Sequence, residues 1–173
     1  MTTVITNQLI QDIRSEFRLD WRGLHGASHW ARVRTNGLTI ASSNGASKHV
    51  IEYFAFLHDV CRLSDGRDRE HGPRAAAFAK DIRKKHIDLA DHEFALLIQA
   101  IRGHTTEALH ENLTVNTCWD ADRLDLTRLG ITPDPERLCT DAGRQLAQLR
   151  AHHPNAIIGP HNTNIPQIEM EIK

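Results

Sequence analysis

The chain has 173 residues, enough for one domain with a real core. Apolar residues make up 40% and charged ones 25%, the balance of an ordinary soluble globular protein. With 21 basic against 22 acidic residues the formal charge is -1, which excludes a global field for nucleic acid or membrane and leaves any attraction for phosphate local.

The elements follow a helical period nearly throughout. Leu9, Ile10, Ile13 and Phe17 recur at three- and four-residue steps, with Thr6 or Asn7 as N-cap. A second helix is predicted from about Ala27 towards Ile40, ending in the turn-rich ASSNGAS. The third carries Val50, Ile51, Phe54, Leu57, His58 and Cys61 on one apolar stripe, and the polar loop SDGRDRE follows it. Next come an alanine-rich helix around Pro73–Lys85 and another over Glu93–Arg102. CWDADRLDLTRLG reads as a helix stopped by Gly130, and Pro133-Asp134-Pro135 as the start of a last helix through about Arg150. No period of two persists, so the expectation is a single all-α domain over residues 1–153, of roughly six or seven helices. Residues 154–173 read as an irregular extension, which leaves room for exchange with a second copy in a homo-oligomer.

Other features narrow the class. Cys61, Cys118 and Cys139 show no CxxC spacing, which excludes a disulfide framework or thiolate zinc knuckle and fits a reducing cytoplasm. The start MTTVITNQLIQDIR lacks a signal-peptide layout, and no apolar run approaches the ~20 residues of a membrane span. Twelve histidines are the compositional outlier, and histidine is both a metal ligand and a proton carrier near neutral pH.

Four polar residues interrupt otherwise apolar stretches: His29 in HWARV, His58-Asp59 in FLHDVC and Asp122 in CWDADRLD. A lone inward histidine is usually a satisfied core residue. Directly after His58, however, comes Asp59, and a buried carboxylate needs a charge partner. Asp122 has a rival account as a salt bridge to Arg123 or Arg128, and Asp120 and Asp125 compete with it. His25 and His29 stand four apart on one helix face, a spacing shared by metal sites and exposed pairs. Arg62, Arg67, Arg69, His71 and Arg74 could hold an anion, although Asp65, Asp68 and Glu70 interleave with them. His104 follows an apolar helix, where it could equally cap the helix end.

The order H…HD…D, as His29, His58-Asp59 and Asp122 in Asp122-Arg123-Leu124, resembles the HD-domain superfamily of metal-dependent phosphohydrolases over roughly residues 20–130. The resemblance implies that these four residues bind a divalent metal at the centre of a helical bundle. A His2Asp2 set suits Mn, Fe, Co, Ni or Zn and keeps Mg open. The implied activity is hydrolysis of a small phosphorylated, nucleotide-like substrate through a metal-activated water; placed between metal and water, Asp59 could itself take the proton as general base. Histidines at the places of His71 and His104 bind a second metal or the substrate phosphate in several branches. His25 stands where some two-metal members carry glutamate, and no double histidine occurs at His104. The expectation is therefore one metal per chain, with His71, His104 and Arg62 on the phosphate side and His25 behind the site or at a second ion. Trp21, Trp30 and Trp119 lie near the ligand segments, where one could stack on a base. Two other classes compete: an HD-fold di-iron oxygenase, separable by iron stoichiometry and O2 uptake, and a non-catalytic nucleotide-binding module.

Overall fold

The computed structural model describes residues 4–152, with no strand among them, and the extension predicted over 154–173 lies outside the described residues. Seven α-helices run in order: α1 (Asn7–Glu16), α2 (Ala27–Asn44), α3 (Lys48–Leu57), α4 (His71–His86), α5 (Asp91–Gly103), α6 (Leu113–Arg123) and α7 (Asp141–His152). Two 3-10 segments, Leu124–Leu129 and Pro135–Arg137, join α6 to α7. None of the described helices is long and apolar enough to cross a membrane.

Local chemistry sets the boundaries. Thr6 caps α1 by accepting from the Leu9 amide at 3.2 Å, and Ser47 and Asn112 cap α3 and α6 in the same way. Gly45 ends α2 at φ 77°, so the helix runs through ASSN instead of stopping near Ile40. Gly130 ends the first 3-10 segment at φ 72°. Two boundaries differ from expectation. The helix carrying Asp122 begins at Leu113, because Asn116 and Thr117 bury their polar groups against the carbonyls of His110 and Leu113. The helix expected from Pro133-Asp134-Pro135 is only the short Pro135–Arg137 turn, and α7 starts at Asp141. There the buried Asp120 carboxylate accepts from the amides of Cys139 and Thr140 at 2.6 and 2.8 Å, holding the chain in a bend before the helix.

α2 packs on α3 and α6, α5 joins α3 and α4, and one core gathers Trp30, Ile51, Phe54, Leu57, Leu97, Ile101 and Trp119. A smaller core of Ile40, Leu124, Leu138, Leu146 and Ala147 seats α7. The start of α4 sits hard against the end of α5, since a Cβ on Gly72 would come within 2.9 Å of the carbonyl oxygens of both Ile101 and Arg102. This close approach brings His71 to His104. Gly72→Ala should therefore push the helices apart, costing about 1–3 kcal/mol by the overpacking rule. Thermal unfolding of the variant checks this, and an unchanged melting temperature would mean the contact is not needed.

Candidate metal centre

The polar residues singled out above meet at one end of the bundle. His29 lies in the first turn of α2, His58 at the C-cap of α3 with Asp59 in the following turn, His71 at the start of α4, His104 at the C-cap of α5, and Asp122 in the last turn of α6. Three of these positions are helix C-terminal ends, where the backbone dipole favours a cation. His29, His58, Asp59, His71 and His104 are buried, whereas the Asp122 side chain is 20% exposed and marks where solvent reaches the cluster.

His29, His58, Asp59 and Asp122 form one donor set. His29 Nε2 stands 3.1 Å from His58 Nε2, 3.6 Å from Asp59 Oδ2 and 3.4 Å from Asp122 Oδ1. His58 Nε2 stands 3.6 and 3.8 Å from the same two carboxylate oxygens. Donors about 2.1 Å from a shared ion lie about 3.0 Å apart at right angles and about 3.4 Å apart at a tetrahedral angle. The spacing therefore fits one ion with little movement.

A second set shares Asp59. Its Oδ1 stands 3.1 Å from His71 Nε2 and 3.6 Å from His104 Nε2, and the two imidazole nitrogens are 2.8 Å apart. Thus His71 and His104 join Asp59 as possible ligands, beyond the phosphate-side placement that the sequence suggested.

The supporting bonds fix the direction of each ring. His58 Nδ1 donates to the carbonyls of Phe54 and Ala55 at 3.1 and 3.2 Å, and His104 Nδ1 to that of Ile101 at 2.7 Å. His71 Nδ1 donates to the Asp68 carbonyl, and His29 Nδ1 to Asp125 Oδ2 at 2.7 Å. A carbonyl oxygen only accepts, so each neutral ring carries its proton on Nδ1 and turns the Nε2 lone pair inwards. Each Nε2–Nε2 pair then sets lone pair against lone pair unless a cation, a proton or a metal ion, lies between them.

The electrostatics follow the same logic. Burial lowers the His29 imidazole, but Asp122 and Asp125 outweigh it and hold it above its ordinary value. Burial likewise opposes protonation of His104, yet Asp59 beside it raises it overall. His58 is pushed down to about 3, chiefly by burial. Burial would raise the carboxyls of Asp59 and Asp122, but the facing imidazoles keep both well below the usual carboxylate range. The donor set is rich in inward lone pairs and ionised carboxylates, and it can hold a divalent ion.

No family model matches the sequence, and no curated protein matches it. A solved structure does: a predicted HD superfamily hydrolase from an uncultured Thermotogales bacterium, 27% identical, covering 84% of each chain with a TM-score of 0.67. The chain has an HD-domain fold. Within that HD-domain bundle, the His/Asp cluster and the neighbour together fit a metal-dependent hydrolase.

Several expectations about other residues change. Arg62 is buried, donating to the carbonyls of Ser64 and Gly66 at 3.3 and 2.8 Å and lying 3.5 Å from Asp59 Oδ1. It pins the loop after the HD pair instead of presenting a free guanidinium to a substrate. Arg74 is likewise engaged, by the Cys61 carbonyl and Asp68. His25 stays outside both donor sets, its Nδ1 held by Asp65 Oδ1 at 2.8 Å. Base stacking finds no support among the tryptophans. Trp30 and Trp119 are 0% and 1% exposed, and Trp21 is half-buried in an edge-on cluster with Phe17 and Trp30. The two oxygens of Asp59, the residue expected as general base, face the two donor sets. Asp122 forms none of the expected salt bridges to Arg123 or Arg128 among the described residues, since Arg123 reaches the carbonyls of Glu107, Ala108 and Arg137. Finally, a cavity of about 790 Å³ beside Arg123, Leu126 and Ile131 is lined by no member of either donor set and lies apart from the His/Asp cluster.

Proposed function

We propose that this chain is a metal-dependent phosphohydrolase that binds two divalent ions, one in each donor set, and cleaves a small phosphorylated substrate. The observation that carries the reading is the pair of inward Nε2–Nε2 contacts, at 3.1 and 2.8 Å, joined through the two oxygens of Asp59. A bound divalent ion supplies Lewis-acid polarisation of a phosphoryl oxygen and lowers the pKa of a water.

The protein's own groups do the rest. His29, His58, His71 and His104 present fixed lone pairs, so little reorganisation is needed to hold the ions. Asp59 acts as the shared anion between the sets. Asp122, exposed on one side, stands where a phosphate would enter. The nucleotide-like nature of the substrate rests on the family resemblance alone.

Metal analysis of the purified protein, followed by a phosphate-release screen over nucleotides and sugar phosphates with Mn, Co, Ni and Mg, tests this reading. The expected result is close to two ions per chain and turnover of a phosphorylated substrate. Failure to retain any ion, with no phosphate released, would overturn it. The second donor set also gives specific support to a di-iron oxygenase as the alternative. Iron at full stoichiometry, with O2 uptake and no phosphate release, would favour it.

A further inference from the structure

Asp125 has no part in either donor set, yet it is 3% exposed and stands directly behind one ligand. Its Oδ2 accepts from His29 Nδ1 at 2.7 Å, on the far side of the ring from Asp122. Asp122 closes α6, and Asp125 lies in the 3-10 segment Leu124–Leu129 that continues it. In a 3-10 turn, side chains three residues apart eclipse one another. The tightening of the helix at this point thus sets both carboxylates on one side, and the His29 ring sits between them. Arg32 fixes Asp125 from behind with bonds of 2.7 and 3.1 Å to its two oxygens, and Arg128 donates to its carbonyl at 3.1 Å.

The other three imidazoles have no such carboxylate on Nδ1. His58, His71 and His104 all lean on backbone carbonyls. The second donor set also has a cation beside it, since the Arg62 guanidinium lies 3.3 Å from His71 Nε2. A carboxylate on the outer nitrogen strengthens an imidazole as a metal ligand, whereas a neighbouring guanidinium repels the ion.

Resting on the two-ion reading above, we propose that Asp125 is a positioning residue for His29 that makes the first donor set the tighter of the two. The ion among His29, His58, Asp59 and Asp122 is retained, and the one among Asp59, His71 and His104 exchanges.

Titration of metal-free protein with Mn(II), counting free ion by electron paramagnetic resonance, reads the two steps separately. Wild type should show a tight and a weak step. In Asp125→Asn the tight step should weaken by about 10–100-fold while the weak step stays in place. Arg32→Gln leaves the His29–Asp125 bond and loosens only its backing. It should lower the melting temperature and shift the tight step by no more than about threefold, well below the loss typical of a removed outer-shell partner.

Unchanged steps in Asp125→Asn, or equal weakening of both, would overturn the proposal, the second result pointing to a general loosening of the segment. An equally large loss in Arg32→Gln would also overturn it. A wild-type protein that binds no Mn(II) at all would instead sink the metal-site reading itself, so the two failures are distinguishable.

Discussion

Asp59→Ala should empty both donor sets at once and lower kcat/KM on any phosphorylated substrate by at least about 10^3-fold, since the lost metal chemistry is worth several kcal/mol at about 1.4 kcal/mol per factor of ten. No other single change should do this. The first set draws on two carboxylates, Asp59 and Asp122, whereas Asp59 is the sole carboxylate in the second. Removing it leaves His71 and His104 as a pair of neutral ligands, too weak for a hard ion. His104→Ala offers the contrast, with loss expected from the second set alone. Metal content by mass spectrometry, alongside circular dichroism to check the fold, decides the matter. Full ion retention by the Asp59 variant would mean that the shared carboxylate is not a ligand.

Asp120→Ala should act in the opposite sense, on stability and not on the ions. The Asp120 carboxylate is fully buried and accepts from the Cys139 amide, the Thr140 amide and Thr140 Oγ1 at 2.6, 2.8 and 2.7 Å. Truncation leaves those donors without an acceptor and detaches the start of α7. The cost should be about 3–5 kcal/mol, as for other charged acceptors removed from buried sites. For a chain of this size that lowers Tm by about 10 °C. Metal content should stay at the wild-type level, because Asp120 belongs to neither donor set. A melting temperature within a degree or two of wild type would show that α7 is held by its apolar face alone.

These three aspartates show what the sequence could and could not tell. Asp120, Asp122 and Asp125 stand within six residues of one another and look alike as text. The fold gives them separate tasks: one anchors α7, one faces the first donor set, and one lies behind His29. Asp120 and Asp122 stand about 160° apart around α6, on nearly opposite faces, and Asp125 follows the switch to 3-10 geometry after Arg123, which no periodicity marks. The all-helical architecture was legible because apolar residues recur at helical steps around ordinary caps. His29, His58, Asp59 and Asp122 were legible because each breaks an apolar face. The facing of His71 and His104 was not, since it depends on how closely Gly72 lets two helices approach. The tryptophans misled for a simple reason: proximity in sequence to a ligand says nothing about which way an indole points.

The donors are spread from His29 to Asp122, one or two to a helix, and meet only where the helices end. A chain emerging from the ribosome builds its amino-terminal part first. Asp59, His71 and His104 would be in place once α5 had formed, whereas the first donor set would wait for Asp122 at the end of α6. The first donor set is thereby the last part of the cluster to be assembled during synthesis.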